Sequence, residues 1–454
     1  MNTDVLIMGA GGGAYPAAFR LARSGHDVVM VDPKGVLGGN CLYLGCIPSK
    51  TIREMIQLFD RSKRLLEAKI DKDFGWYQNH KDYVQKTRFI QHDNELTEFP
   101  NVHFFNGIAS FKGNKEATIN KDGHEFSVTF DHAIVATGTT VTKLEFPGSE
   151  FCITSDDIFT YKSVFNKIPE RIVIVGAGYI ALEAASMFHA LGSDVHLLVR
   201  SNIMLRNVDQ DLVKVALPGI THFQIHYKTN ILAVSKNANS FSVQYNEDGT
   251  VREITADSVM LATGRKPVLP DGIASTGIKI DEKGFISTSE TLQTNIPWIY
   301  ATGDVNGKAP YFHAAVREAM VAANNIIAGD KPVDYMNYRS VPVSIFTFPP
   351  IAYVGITRSV AAGMNLDVVE GSYNLSTDSK GQMYDEKDGE IRLFFEKGSF
   401  RIVGGWVYGI DAPDLINEIG LAVSNSLTAR QMAEFADQHP TTNEGISKIA
   451  RNFV

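Results

Sequence analysis

Cysteine is scarce in this sequence, with three residues in 454. So few thiols cannot build a disulfide framework. Small stapled secreted scaffolds are therefore excluded, a reducing compartment is expected, and any disulfide that does form points to catalysis. Excess positive charge is also lacking: 43 Lys and Arg stand against 51 Asp and Glu, for a net charge of -8. That balance gives no reason to expect nucleic acid or an anionic membrane as partner. No hydrophobic run is suited to span a bilayer, because the uncharged stretch 340–357 is broken by Pro342, Pro349 and Pro350. The apolar stretch from Val5 to Phe19 has no Lys or Arg ahead of it and carries a glycine cluster. It does not read as a signal-peptide core, and a cytoplasmic location is expected. What is present, 44% hydrophobic and 21% charged residues over this length, is the composition of a globular enzyme of about three domains.

The segment "DVLIMGAGGGAYPAAFRLARSGHDVVMVD" reads as a buried strand, a tight glycine turn, an amphipathic helix ending near Gly25, and a second strand ending at Asp32. Gly9 permits the turn and Gly11 lets the backbone approach a pyrophosphate at the helix N-terminus. Ala14 allows close packing, and Asp32 can accept from ribose hydroxyls. The pattern recurs in "RIVIVGAGYIALEAASMFHALGSDVHLLVR", with Gly176, Gly178 and Ala181 at the same spacing. Here Arg200 stands where the acid would be, and Arg206 follows six residues on. Guanidinium groups suit a 2'-phosphate, so NADP(H) is favoured over NAD(H). Two such folds imply two nucleotides, and a flavin paired with a nicotinamide allows hydride to pass between them, which makes the first nucleotide FAD. Two apolar strands running into Thr-Gly turns, "AIVATGTT" and "VMLATGRKP", flank the second fold. "WIYATGDVN" later places Asp304 where a carboxylate reaches a ribityl or ribose hydroxyl.

Two of the three cysteines lie in "GGNCLYLGCIPSK". In a regular helix, residues five apart are separated by roughly 8 to 9 Å between Cα atoms, and a disulfide tolerates at most about 7 Å. Bridging Cys41 to Cys46 needs a distorted turn, which Gly45 permits. Pro48 suits the first turn of the helix that follows, whose buried face is Ile52, Met55, Ile56 and Phe59. Cys46 is thus expected just ahead of a helix N-terminus with Lys50 one turn inside, two features that stabilise a thiolate. A redox-active pair is the expectation; two buried structural cysteines are the alternative.

The thiol segment, the two glycine folds, "YATGD" and the late "HPTTNEG" together resemble the flavin-dependent pyridine nucleotide-disulfide oxidoreductases. "CIPSK" is similar to the segment found in dihydrolipoamide dehydrogenases. The resemblance implies an α/β chain with two Rossmann-like domains, for FAD and NAD(P), and a C-terminal α+β dimerisation domain. The expected division is 1–146 (FAD), 147–265 (NAD(P)), 266–333 (FAD, continued) and 334–454 (dimerisation). By the same resemblance Cys46 faces the flavin, Cys41 is the interchange thiol, Lys50 lies near the flavin and Glu183 pairs with it. His439 and Glu444 form an acid-base pair supplied by the partner subunit of a homodimer. Gly39, Ala109, Thr137, Gly138 and His313 are added to the FAD residues, and Tyr179 and Gly264 to those for NADP(H).

Some details depart from a lipoamide dehydrogenase. Arg200, Arg206 and Tyr179 resemble glutathione reductase, in which that tyrosine covers the nicotinamide pocket. Phe19, however, stands where glutathione reductases carry a substrate-binding arginine, which favours lipoamide or another apolar disulfide or dithiol, free or protein-bound. No terminal cysteine pair is present, and Cys152 reads as incidental. A flavin oxidase or transhydrogenase is the alternative within the enzymes; a docking component of a larger complex is the alternative outside them.

Overall fold

Strands with no polar face belong inside a parallel sheet, and both Val/Ile runs that precede the glycine turns lie there. The computed structural model describes residues 1–69, 72–113, 115–329 and 331–454. Asn2–Met8 is flanked in parallel by Val28–Asp32 on one side and by the second half of His124–Val135 on the other. Val102–Asn106 extends the sheet beyond Val28–Asp32, and Ile108–Gly113 and Glu116–Lys121 form a hairpin on the first half of His124–Val135. The chain leaves this sheet after Val135 and returns at Ile299–Ala301, which pairs in parallel with Ala133–Val135. Helices Tyr15–Arg23 and Phe312–Ala328 cover one face.

Between those visits the chain builds a second parallel sheet, ordered Gln224–Tyr227, Asp194–Val199, Arg171–Val175, Ser258–Leu261. An antiparallel meander over Thr229–Lys236, Phe241–Glu247 and Thr250–Ala256 packs on it. The two Thr-Gly turns join the halves: Thr139–Val141 and Arg265–Pro267 pair as an antiparallel ribbon. A five-stranded antiparallel sheet follows, ordered Val343–Ile345, Ile351–Gly355, Ile402–Tyr408, Glu390–Glu396, Val368–Asn374, and is backed by helices Ala412–Ser424 and Glu444–Ala450. One apolar cluster runs through all three parts, from Ile52 and Ile56 through Ile172 and Phe188 to Ile345, Phe394 and Trp406. The thiol helix, the second nucleotide fold and the C-terminal sheet are thereby held in one packing arrangement. No described helix is long and apolar enough to cross a membrane.

Candidate active site

Gly9 sits at φ +117°, and a Cβ there would lie 2.3 Å from Ala136 O, so only glycine closes this turn. Gly11 and Gly39 meet backbone to backbone: a Cβ on Gly39 would stand 2.6 Å from the Gly11 Cα. Ala14 is fully buried. Asp32 ties the end of its strand to the glycine turn, accepting from Ala10 N at 3.1 Å and Lys34 N at 2.8 Å. Burial raises its pKa against those two donors. Asp304 accepts from Thr139 Oγ1 at 2.8 Å, placing its carboxylate beside the Thr137–Gly138 turn, where Gly138 has φ +70° and open space where a Cβ would be. Thr137 Oγ1 donates to Val268 O. Ala109 is buried in its strand, and His313, exposed at the start of its helix, donates from Nε2 to Pro342 O at 2.7 Å. Close backbone, a helix N-terminus and a strand-end acid fit a dinucleotide diphosphate.

The second turn repeats the device. Gly176, at φ +152°, has no room for a Cβ, which would meet Ala262 O at 2.3 Å and the Ala181 Cβ at 3.1 Å. Gly178 has nothing within 4 Å of such a Cβ, leaving its backbone open at the start of helix Tyr179–Ala190, and Gly264 is equally open at φ +110°. Arg200 and Arg206 are both exposed. Their loop folds back on the turn through Leu205 N, which donates to Ala177 O at 2.9 Å. Among the described residues neither guanidinium has an ion-pair partner.

A buried acid that the sequence reading missed supports the Asp304 turn. Glu318 is wholly buried; its Oε2 accepts from Gly303 N at 2.6 Å and Asn306 Nδ2 at 2.8 Å, and its Oε1 from the Tyr338 hydroxyl at 2.8 Å. It stands among Ala314, Ala315, Ala319 and Val321 on the buried face of its helix, so an acid at a core position was the available signal. Burial raises its pKa to about 7. Folding therefore favours the neutral acid, and the associated stability is complete below the ordinary carboxylate range and lost as pH rises through about 7, a change of roughly 3 kcal/mol. Glu318→Gln, which mimics the neutral acid, is expected to gain on wild type as pH rises from 5 to 8. Thermal melts at the two pH values check this, and parallel profiles would contradict it.

The thiols sit at a break between two helices. Cys41 lies in the short helix Gly39–Tyr43, and Cys46 is the first residue of Cys46–Leu66, not a residue ahead of it; Gly45 supplies the non-helical step. Gln85, fully buried, donates to Leu42 O and Tyr43 O at 3.0 Å each and so fixes the end of the short helix. Both cysteines are free thiols, Cys41 half-buried and Cys46 exposed. The neighbouring Cys46 thiol, with burial, pushes the Cys41 thiol up; the neighbouring Cys41, helped by the Lys50 charge, pulls Cys46 down against its burial. Of the two thiols, Cys46 is the one whose thiolate form is favoured. Cys152 is half-buried, and burial pushes it up to about 11, away from reactivity.

Lys50, one turn into the thiol helix, pairs with Glu183 of the second nucleotide fold at 2.8 Å. The other Glu183 oxygen accepts from Phe346 N at 3.0 Å, and the Lys50 ammonium lies 4.4 Å from the Phe346 ring centroid. His439 and Glu444 meet through the turn at Pro440: Nδ1 lies 2.9 Å from Oε1, and Thr441 N donates to the same oxygen at 3.2 Å. Against the burial that opposes it, the donors Thr441 N and His439 hold Glu444 below its ordinary range. With Nδ1 engaged, His439 keeps Nε2 for proton transfer, and its side chain is 70% exposed. The Phe19 ring is buried and stacked on Phe99 with centroids 4.4 Å apart, in the core of the first fold.

Residues 3–319 match the family profile described as pyridine nucleotide-disulphide oxidoreductase, and residues 341–450 match its dimerisation domain. The chain belongs to that family. It is 32% identical to dihydrolipoyl dehydrogenase of Buchnera aphidicola subsp. Schizaphis graminum over 464 aligned positions, covering 100% of this chain and 96% of that protein. It is likewise 32% identical to dihydrolipoyl dehydrogenase of Vibrio cholerae, with the same coverage. Its fold matches LpdA from Mycobacterium tuberculosis with a TM-score of 0.91 at 21% identity, over all of both chains. It also matches the HOCl-induced flavoprotein disulfide reductase RclA from Escherichia coli with a TM-score of 0.85 at 21% identity, over 99% of each. The chain is thus a pyridine nucleotide-disulfide oxidoreductase, an enzyme whose family uses FAD and a pyridine nucleotide.

Proposed function

We propose that the protein is a homodimeric, FAD-dependent NADP(H):disulfide oxidoreductase of the dihydrolipoamide dehydrogenase type, acting on a lipoamide-like disulfide or its dithiol. The observation that carries this reading is the Cys41–Cys46 thiol pair at a helix start, with Lys50 one turn into that helix and paired with Glu183 of the second nucleotide fold. In this reading residues 1–146 and 266–333 hold FAD, 147–265 the nicotinamide nucleotide, and 334–454 the second subunit. Gly9, Gly11, Ala14, Asp32, Gly39, Ala109, Thr137, Gly138, Asp304 and His313 are the FAD residues. Gly176, Gly178, Tyr179, Ala181, Arg200, Arg206 and Gly264 are those for NADP(H).

FAD, when bound, supplies a two-electron relay between nicotinamide and thiols. Cys41 opens the exchange: its sulfur attacks one sulfur of the substrate disulfide, the substrate S–S bond breaks, and a mixed disulfide forms. His439 takes the Cys41 proton and passes it to the departing substrate thiolate, with Glu444 holding the ring. Cys46, having given up its proton, then attacks the Cys41 sulfur; the second substrate sulfur leaves as a thiolate that takes up a proton, and the Cys41–Cys46 disulfide remains. Two electrons and two protons restore the dithiol; with a dithiol substrate the sequence runs backward.

The cofactor choice is tested at the two arginines. Each charge-assisted contact to a 2'-phosphate is worth about 1.5–3 kcal/mol. Replacing Arg200 and Arg206 together by Ala is expected to raise KM for NADPH at least ~100-fold and to leave KM for NADH within about twofold. Equal changes for both nucleotides would refute the NADP(H) preference.

A further inference from the structure

Helix Tyr179–Ala190 meets the C-terminal sheet through a polar stripe. Tyr179, Glu183 and Ser186 stand at i, i+4 and i+7, on one face. The Tyr179 and Tyr353 hydroxyls share a hydrogen bond of 2.8 Å, Glu183 Oε1 accepts from Phe346 N at 3.0 Å, and Ser186 Oγ accepts from Phe348 N at 2.9 Å. A third tyrosine, Tyr311, donates to the Tyr179 hydroxyl at 3.2 Å. Its ring stacks on that of Tyr179, with centroids 6.3 Å apart and planes 22° from parallel. Burial drives the pKa values of Tyr311 and Tyr353 far above the ordinary phenol range, so both are neutral hydroxyls at any pH the enzyme meets. The first nucleotide fold, the second and the C-terminal sheet thus each supply one hydroxyl to a single cluster. The segment that carries Tyr353 also carries the amide fixing Glu183 and the ring beneath Lys50.

We propose that Tyr179, Tyr311 and Tyr353 are positioning residues that clamp the first turn of this helix and so hold Glu183 against Lys50. The inference rests on the reading of that pair as part of the redox face. Its consequence appears at Cys46, which is faced by Cys41, Lys50 and Glu183. Lys50 favours the Cys46 thiolate and Glu183 opposes it, so a loosened clamp that lets Glu183 withdraw leaves Lys50 less compensated. The thiolate then forms at lower pH.

The test follows the pH dependence of iodoacetamide alkylation at Cys46 in the reduced holoenzyme, read by mass spectrometry of its peptide. Wild type, Tyr353→Phe, Tyr179→Phe and the double variant are compared, each with Glu183 and with Glu183→Gln; Tyr311→Phe serves as a second probe of the cluster. The expected result is a downward shift of the midpoint of about half a unit in either single variant, since partial loss of one opposing charge moves a thiol by that order. The double variant shifts no further than Tyr179→Phe, because that substitution already removes the hydroxyl contacts to both Tyr353 and Tyr311. Against Glu183→Gln the shift vanishes. An unchanged midpoint in Tyr353→Phe and Tyr311→Phe, or a shift that persists with Glu183→Gln, overturns the clamp. A wild-type midpoint equal to that of an ordinary cysteine sinks the activated-thiolate reading itself, and the clamp with it.

Discussion

Cys46→Ser is expected to abolish disulfide turnover, by at least about 10³-fold, while FAD stays bound. A serine hydroxyl forms neither a disulfide with Cys41 nor an anion beside Lys50 near neutral pH. The residues assigned to FAD, from the Gly9 turn to Asp304, are separate from that sulfur, so the holoprotein is expected to purify yellow. Cys41→Ser separates the two thiols: it also ends turnover, but it leaves Cys46 at the helix start with Lys50 nearby. This variant is expected to keep a long-wavelength thiolate-to-flavin absorption without any reductant. Disulfide reductase assays and absorption spectra of the two variants check both statements. Turnover retained in Cys46→Ser would remove the redox pair from the mechanism.

His439→Gln is the second large effect, with a loss of about 10² to 10⁴ in disulfide turnover, the range that a positioned proton carrier supplies. Gln keeps a donor toward Glu444 but carries no exchangeable charge, so flavin reduction by the nucleotide is expected to be unchanged while the thiol-disulfide half-reaction slows. Glu444→Gln is expected to lose less, because it leaves the imidazole present and removes only the acceptor at 2.9 Å that orients it. Stopped-flow measurement of the two half-reactions distinguishes these cases. Mixing His439→Gln subunits with Cys46→Ser subunits adds a test of the dimer. If His439 serves the partner's thiols, the hybrid holds one site with both residues intact and recovers up to half the wild-type turnover per dimer.

Much of this arrangement was legible in the chain because it is local. The glycine turns, the strand-end Asp32, the thiol helix and the His439–Glu444 turn each fall within about thirty residues, where spacing maps directly onto geometry. Glu183 shows the limit: its helix position alone reads as a solvated face, and only the fold brings it to Lys50, 133 residues away. Tyr311 and Tyr353 left no local trace, since their partner Tyr179 lies 132 and 174 residues off. The two Thr-Gly turns were visible as separate strand ends, but their pairing into one ribbon is a tertiary fact. Phe19 was legible only as the absence of an arginine; its packing against Phe99 in the core of the first fold is a tertiary fact.

The most direct measurement is anaerobic reduction of the purified holoenzyme by NADPH and by NADH, followed by absorption in wild type and Cys46→Ser. The expected result is a long-wavelength thiolate-to-flavin band that forms faster with NADPH and is missing in Cys46→Ser. Simple bleaching of the wild-type flavin, with no such band from either nucleotide, would contradict the coupling of the Cys41–Cys46 pair to the flavin.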